Sequence, residues 1–300
     1  MSMIEASTDG ERAQLAETLR AHERRFLSAH PDYERVLDAN RITRHVDSRM
    51  AATGRTELPV PHLVVTEALE PAFYETLHAA WPPAVLFKRD AHDRKRDLVP
   101  SIASGIDSRT AGYHLLPTAI RRVWDFFVFT VNRQIVGPRL ARIFAPEILD
   151  RLRLLQRAHA EGLIGYEMAG AHDWSYRANV GRFMVRGNGY TLKPHVDSMP
   201  YLVTALHYFP DRDADHGFGT IFYAPTKPLD FDACVRDGST QYFEQVGIDC
   251  TEALRIPYER NILLAFPNTL SAAHGVVAPK QGYRKVFQYH LSLKGDDEKV

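Results

Sequence analysis

The sequence predicts an α+β fold, with helices in the first half of the chain and an all-β second half. Up to about residue 177, apolar residues recur mainly at intervals of three and four, as on one face of a helix. Beyond it, the chain consists of short segments rich in aromatic and β-branched residues, separated by turn residues around Asn188 and Asn268. Helices and strands are therefore segregated along the chain.

Many short strands separated by turns are typical of an antiparallel sandwich or barrel. We therefore predict a double-stranded β-helix (jelly-roll) core over residues 178–293. Residues 1–177 are expected to form a mainly helical region that packs on the outside of this core. Residues 226–257 are predicted to be an insertion between strands, and residues 294–300 a polar tail.

The predicted helices begin near a proline or a capping residue. They are expected after Thr8, after Pro31, from Pro71, from Pro117 and from Pro146. The helix from Pro117 is predicted to be buried and to end at Gly137 and Pro138, which disfavour its continuation. Ahead of it, "LPVPHLVV" (58–65) is predicted to be a strand, and "KRDAHDRKRD" (88–97) a solvated loop.

Composition excludes several classes of partner. The chain has 37 basic and 37 acidic residues, so no net charge attracts it to nucleic acid or to an anionic membrane. Its start, "MSMIEASTDGERAQ", lacks the basic and apolar regions of a signal peptide, and no apolar run is long enough to cross a bilayer.

Two cysteines, Cys234 and Cys250, suit a reducing compartment. We expect a cytoplasmic protein, with a homodimer as an oligomeric state that the amphipathic N-terminal helices can mediate.

The His-x-Asp pattern, which can hold a metal ion, occurs three times, at residues 30–32, 45–47 and 195–197. The last two even share the tetrapeptide "HVDS", so the pattern alone is weak evidence and its context decides. The first two pairs lie in helical, charged sequence. The third lies in the β-rich half, where residues i and i+2 of a strand point to the same face. His195 and Asp197 can therefore face one ion.

A third metal ligand and an anion-binding residue follow in the same β-rich half. His274 lies in "SAAHGVV", next to a strand-like segment. Two imidazoles and one carboxylate make the facial triad typical of non-haem Fe(II), which leaves positions open for substrate and O2. Arg284, at the start of an alternating strand, can hold a dicarboxylate by two parallel hydrogen bonds. Together these residues predict a metal site.

With these residues in place, the C-terminal half resembles the Fe(II)- and 2-oxoglutarate-dependent dioxygenases, in particular the prolyl-4-hydroxylase-like branch. The matching runs are "GRFMVRGNGYTLKPHVDSMPYLVTALHYFP", "GFGTIFYAP" and "NILLAFPNTLSAAHGVVAPKQGYRKVFQYHLSL". The run "LPVPHLVVTEALEPAFYETLHAAWPP" also resembles the strand and helix that precede the core in this branch. The resemblance implies that His195, Asp197 and His274 are catalytic iron ligands. It also implies that Arg284 binds the distal carboxylate of 2-oxoglutarate.

Three further residues are candidates for contact with the cosubstrate. Tyr208 matches a strand position where some relatives have a tyrosine, and Thr220 follows the glycine of "GFGT", near a position where relatives often have a glycine pair. Gln288 lies four residues after Arg284 and shares its strand face. His207 and His290 are expected to have structural or substrate-side roles, since the triad is complete without them.

Departures from other branches narrow the expected reaction. Nucleic-acid demethylases of this superfamily carry a second arginine where this chain has His290, and the plant and penicillin-type branch has a serine where it has Val286. Halogenases replace the metal-binding carboxylate by a small residue, whereas Asp197 is present. Hydroxylation or a related oxidation is therefore expected.

The resemblance implies hydroxylation of an unactivated C–H bond of a small metabolite or biosynthetic intermediate, with O2 consumed and succinate and CO2 released. Three alternatives stay open at this point: a hydroxylase of a prolyl or other protein side chain, a non-catalytic jelly-roll that keeps the ligands, and a cupin-like metalloenzyme that does not use 2-oxoglutarate. Substrate contacts are expected from residues 84–116 and 226–257 and from Arg186 and Tyr190.

Overall fold

The computed structural model describes residues 9–89, 94–100, 111–164, 174–187, 189–211, 216–277 and 282–293. Its α-helices, numbered in chain order, are α1 (Asp9–Ala29), α2 (Ala39–Ala52), α3 (Pro71–Ala79), α4 (Ala111–His114), α5 (Thr118–Asp125), α6 (Gly137–Ile143), α7 (Ala145–Ala160) and α8 (Phe231–Asp237). A π-helix joins α5 to α6 over Phe126–Val136. Short 3₁₀-helices cover Tyr33–Val36, Ala84–Leu86, His216–Phe218 and Phe243–Val246.

The strands form two antiparallel sheets. They are β1 (Leu63–Val65), β2 (Lys88–Arg89), β3 (Lys95–Leu98), β4 (Tyr176–Ala178), β5 (Arg182–Gly187), β6 (Thr191–Val196), β7 (Tyr201–Tyr208), β8 (Ile221–Pro225), β9 (Gln241–Tyr242), β10 (Cys250–Arg255), β11 (Leu263–Pro267), β12 (His274–Val277) and β13 (Tyr283–Leu293). The large sheet has the order β1-β11-β7-β13-β5-β3-β2, with β4 also paired to β13, and the small sheet has the order β10-β8-β12-β6-β9. The predicted α+β class is confirmed.

Alternate residues of the large sheet face two different cores. On one face, Met184, Leu206 and Val286 join Phe222 of the small sheet in a buried apolar cluster that packs the two sheets together. On the other face, Phe183 and Phe287 contact Trp124 of α5. Side chains alternate between the faces of a strand, so strands buried on both sides have apolar residues in succession. The large sheet is thus the layer between the helices and the small sheet.

The helix from Pro117 does not end at Gly137 and Pro138, as the sequence predicts, but continues as α6 to Ile143. The Gly137 N–H donates to the carbonyl of Asn132, five residues back, in the wider turn of the π-helix. Pro138 then lies in the first turn of α6, where a helix does not need its missing N–H. A side chain at position 137 would meet the Asn132 oxygen at 2.8 Å, which favours glycine there.

Parts of the predicted loop 88–97 instead form two paired strands, β2 and β3, at the edge of the large sheet. Strands β2 and β3 pair with each other, and β3 also pairs with β5. Charged residues are common on edge strands because they discourage pairing with other chains. Loops are also rich in charged residues, so the charges of residues 88–97 predict a loop where the structure has strands.

The strands also cross the predicted region boundaries. Strands β1, β2 and β3 come from residues 1–177 yet belong to the large sheet, and residues 226–257 contribute β9 and β10 to the small sheet. The division at residue 178 stays a prediction, and the predicted tail 294–300 lies outside the described residues. Within the described part of the chain, no helix has the length and apolar character needed to cross a membrane.

Trp124 tests the packing of the helices on the large sheet. Its side chain is fully buried, lies 4.5 Å from the Phe183 ring between centroids, and donates from Nε1 to the Ala80 carbonyl. Trp124→Ala is expected to lower the free energy of unfolding by about 3–5 kcal/mol. Leu149→Ala, at a side chain with 51% exposure, is the control and should change it by less than about 0.5 kcal/mol. Urea unfolding measures both, and equal losses would contradict this packing.

Candidate active site

Two neighbouring strands of the small sheet bring the metal-binding candidates together. His195 lies on β6 and His274 opens β12, and the two residues are direct partners in the antiparallel register. Asp197 follows the end of β6. One ligand atom from each of these three buried residues lies within 4.8 Å of the other two. The three residues that the sequence singles out therefore share one point in space.

Hydrogen bonds fix which nitrogen of each imidazole faces that point. His195 Nδ1 lies 2.9 Å from the Lys193 carbonyl oxygen, and His274 Nδ1 lies 3.0 Å from the Ala272 carbonyl oxygen. A carbonyl can only accept, so each Nδ1 carries a hydrogen, and Nε2 is the nitrogen that offers a lone pair to a metal ion when the ring is neutral. Both Nε2 atoms lie 3.6 Å from an oxygen of the Asp197 carboxylate. The three donor atoms thus converge.

The Asp197 carboxylate is held by residues that the sequence reading did not identify. Thr204 on β7 donates its hydroxyl hydrogen to Asp197 Oδ2 at 2.5 Å. The side-chain amide of Asn268 donates to the backbone carbonyls of Asp197 and Ser198, at 2.9 and 3.0 Å, and so fixes the turn after β6. These contacts join residues far apart in the chain, and no local pattern indicates them.

The pKa values of Asp197 and His274 are shifted towards the protonation states that bind a metal ion at neutral pH. Burial alone raises the pKa of the Asp197 carboxyl, but His274, His195 and His290 lower it by more, so that it lies well below its usual value. Burial, followed by the neighbouring His195, lowers the pKa of His274 to about 4. An ionised carboxylate and a neutral imidazole are the forms that bind a metal ion.

His207 and His290, for which the sequence predicts structural or substrate-side roles, have different surroundings. His290 Nε2 lies 3.8 Å from Asp197 Oδ2, and its ring stacks on Tyr201 at 3.8 Å between centroids. Its Nε2 has no hydrogen-bond partner among the described residues. His207 instead lies towards the helices, with Nε2 3.1 Å from Asn132 Oδ1, and burial lowers its pKa to about 3. His290 therefore borders the site, whereas His207 belongs to the packing.

A cavity of about 210 Å³ lies beside the triad and between the two sheets. Its lining includes the three metal-binding candidates and, from the inner face of the large sheet, Arg182, Arg186, Leu206, Arg284 and Gln288. Tyr190, Thr220 and Tyr242 also line it. The open side of the triad faces a space large enough for small ligands.

Arg284 is a buried cation without a carboxylate partner in the described part of the chain. Its side chain donates from Nη2 to Thr220 Oγ1 at 3.0 Å, while Nε has no hydrogen-bond acceptor among the described residues. The guanidinium lies 5.3 Å from the centre of the Tyr208 ring, and the Tyr208 hydroxyl donates to Thr220 Oγ1 at 2.7 Å. An uncompensated buried charge is costly, so this site favours an anion supplied from outside.

The other predicted cosubstrate contacts differ in position. Thr220 and Gln288 line the cavity. Tyr208 instead contacts Arg284 through its ring and Thr220 through its hydroxyl. The Gln288 amide oxygen accepts two hydrogen bonds from Arg182. Gln288 is therefore engaged with a different arginine from the one that the sequence resemblance links to the cosubstrate.

The other "HVDS" tetrapeptide, at residues 45–48, makes structural contacts instead of a metal site. His45 lies in α2, with Nε2 2.7 Å from the carbonyl oxygen of Glu67. Asp47 is exposed and forms an ion pair with Arg139. On a helix, residues i and i+2 point in different directions, so the same four letters do not produce a metal site there.

Comparison with family models and with curated proteins gives no match. Among solved structures, the chain is similar to a prolyl-4-hydroxylase from Pseudomonas putida (12% identity, TM-score 0.38, covering 84% of this chain and 98% of that chain). It is also similar to HygX from Streptomyces hygroscopicus with nickel and 2-oxoglutarate bound (11%, 0.39, 78% and 83%). A third is an oxidoreductase of the 2OG-Fe(II) oxygenase family from Burkholderia pseudomallei (13%, 0.34, 77% and 84%). These TM-scores are all below 0.5, and the identities are 11–13%.

The repeated tetrapeptide offers a matched test of the metal site. His195→Ala removes one of three ligands and is expected to weaken Fe(II) binding by at least about 100-fold, since loss of an outer partner alone costs 10- to 100-fold. His45→Ala changes the same residue in the same four letters and should leave the affinity unchanged. Calorimetric titration of metal-free protein without oxygen measures both. Unchanged affinity in the His195 variant would place the metal elsewhere.

Proposed function

We propose that the protein is a non-haem Fe(II)- and 2-oxoglutarate-dependent dioxygenase that hydroxylates a small metabolite or biosynthetic intermediate. One observation carries the proposal: a buried triad of His195, Asp197 and His274 shares a cavity with Arg284, a buried guanidinium without a carboxylate partner in the described ranges. The triad is suited to a metal cation and the arginine to an anion, so together they form a site for a chelating oxo acid.

The donor set fits Fe(II). Two neutral imidazoles and one carboxylate on one side of an ion make a facial arrangement, which is typical of non-haem iron oxygenases. A closed structural zinc site has four protein ligands, and a group of four is not found among the described residues. Positions on the cavity side remain for the cosubstrate and O2.

The residues around Arg284 fit a dicarboxylate cosubstrate. Arg284 offers its guanidinium to the far carboxylate of 2-oxoglutarate, and Thr220 orients it through the hydrogen bond to Nη2. The Tyr208 ring also contacts the guanidinium through a cation–π interaction. Gln288 lines the same cavity and is proposed to contact the bound ligands.

Iron and 2-oxoglutarate, when bound, supply O2 activation and insertion of one oxygen atom into a C–H bond, with succinate and CO2 as co-products. The chain supplies binding, orientation and exclusion of water. Thr204 and Asn268 hold Asp197, and backbone carbonyls hold the two imidazoles. Leu192, Met184 and Val276 add apolar surface to the cavity wall and exclude water from the substrate.

The same proposal includes the predicted β-helix core, the cellular location, the oligomeric state and the partners. The two antiparallel sheets support a double-stranded β-helix core with the N-terminal helices outside, and the bounds 178–293 of that core remain a prediction. Both cysteines are free thiols, which suits a cytoplasmic location. A homodimer and the absence of nucleic-acid and membrane partners also remain predictions.

A comparison of two oxo acids tests the role of Arg284. Bound to Fe(II) without oxygen, 2-oxo acids give a weak visible charge-transfer band, and pyruvate lacks the far carboxylate of 2-oxoglutarate. Arg284→Ala is expected to raise the Kd of 2-oxoglutarate by on the order of 10- to 100-fold, because it removes a charged hydrogen bond to the ligand. The Kd of pyruvate should stay within about twofold. Arg153→Ala, at an exposed position on α7, is the control.

Two outcomes would overturn this assignment. If iron binds but neither oxo acid gives a band, a cupin-like or non-catalytic metal protein becomes the better description. If the band forms but Arg284→Ala affects both oxo acids equally, Arg284 supports the fold and does not bind the far carboxylate. Succinate formation in the presence of O2 then measures turnover in the unaltered chain.

A further inference from the structure

We propose that the substrate carries an anionic group, a carboxylate or a phosphate ester, and that Arg182 binds it inside the cavity. Its use as a substrate contact rests on the proposed function. The binding site itself rests on a second guanidinium in the cavity wall and on an excess of positive charge there.

Arg182 is placed in the cavity by the strand register. It lies on β5 directly opposite Gln288 of β13, and Arg186 lies on the same strand opposite Arg284. Residues 182, 184 and 186 point to one face of β5, and all three line the cavity. The inner face of the large sheet therefore presents two guanidinium groups on β5, those of Arg182 and Arg186, and a third on β13, that of Arg284.

A neutral partner orients Arg182 without cancelling its charge. Its Nε and Nη2 donate to the Gln288 side-chain oxygen at 2.9 and 2.6 Å. Arg186, by contrast, pairs with the Asp97 carboxylate at 2.8 Å. Arg182 and Arg284 are thus the two cavity guanidiniums that no carboxylate of the described residues neutralises. One suits the cosubstrate, and Arg182 remains for another anion.

The charge balance of the cavity supports the same conclusion. The described lining residues include four cations, Lys95, Arg182, Arg186 and Arg284, and one acid, Asp197, so their formal net charge is +3. Including Asp97, which pairs with Arg186 and Lys95, reduces it to +2. A divalent metal ion and a dianionic cosubstrate cancel each other. The remaining positive charge favours a further anionic ligand.

The position of Arg182 relative to the metal site suits a substrate anchor. Gln288, its strand partner, is two residues from His290, which lies beside Asp197. Arg284 is six residues from His290 on the same strand. Arg182 therefore lies closer to the triad along the strand direction than the cosubstrate-binding arginine does. A ligand held there lies beside the metal.

The test uses small aromatic probes with the unaltered protein, loaded with Fe(II) and saturating 2-oxoglutarate without oxygen. The probes are phenyl phosphate, benzoate and neutral benzyl alcohol, and calorimetry gives each Kd. We expect both anions to bind at least about 10-fold more tightly than the alcohol, because charge-assisted bonds to a guanidinium favour them. Tighter binding of phenyl phosphate indicates a phosphate ester, and tighter binding of benzoate a carboxylate.

Two variants assign the anion to Arg182. Arg182→Gln removes the cation, and Gln288→Glu keeps the shape of the partner but adds a neutralising carboxylate. Each is expected to weaken anion binding by about 10-fold or more. Arg182→Gln should leave the Kd of 2-oxoglutarate within about twofold, and Arg153→Gln should change neither affinity. Enhanced relaxation of probe protons by the bound iron confirms that the anion lies in the cavity.

The results separate this inference from the proposed function. If the oxo-acid band forms but the anions bind equally well to Arg182→Gln, the anion site is wrong and the oxygenase proposal stands. If Arg182→Gln weakens 2-oxoglutarate instead, Arg182 belongs to the cosubstrate site and the inference is also wrong. If no band forms, the probes are repeated with Arg284→Ala. Anion binding that still needs Arg182 then supports the site while the oxygenase proposal fails.

Discussion

The antiparallel pairing of β12 with β6 is the constraint on which the site depends. It sets His274 opposite His195, so that two imidazoles from distant parts of the chain share one face. A shift of the register by one residue would turn the histidine of the shifted strand to the other face. The backbones approach closely just beyond this pair, since a side chain at Gly275 would meet the Leu192 carbonyl oxygen at 2.3 Å. Glycine at that position therefore protects the register.

Strand β13 has a polar face towards the cavity and an apolar face towards the helices. Arg284, Gln288 and His290 point to the cavity side, whereas Phe287 packs against the aromatic rings of the helices. The apolar face anchors the strand, so the polar face can hold charges that would otherwise destabilise an interior. The N-terminal helices thus contribute to the site indirectly, because they bury the outer face of the sheet that carries the arginines.

Local patterns predict the elements whose signals lie within a few residues. The α+β class, the helices from Pro71 and Pro146 and the strands around His195 follow from periodicity and turn residues. Context also separates the two "HVDS" tetrapeptides, because the same spacing converges on a strand and diverges on a helix. The structure brings together the triad that the sequence proposes, and it places Arg284 in the same cavity.

Contacts between distant segments account for what the sequence does not reveal. Strand β3, next to the edge strand β2, is charged like a loop, and it forms because β5 supplies a pairing partner. The wider turn before Gly137 lets a helix pass a glycine and a proline that would normally end it. The support of Asp197 by Thr204 and Asn268, and of Arg182 by Gln288, depends on strand register. Propensity and spacing carry no information about such partners.

Anomalous diffraction at the iron edge, from crystals grown without oxygen in Fe(II) and 2-oxoglutarate, would locate the metal and the cosubstrate directly. We predict one iron peak bound by His195 Nε2, His274 Nε2 and the Asp197 carboxylate, with the far carboxylate of 2-oxoglutarate on Arg284. An iron peak with His290 as a fourth protein ligand would contradict the open facial site. A 2-oxoglutarate molecule bound away from Arg284 would contradict the assignment of the anion site.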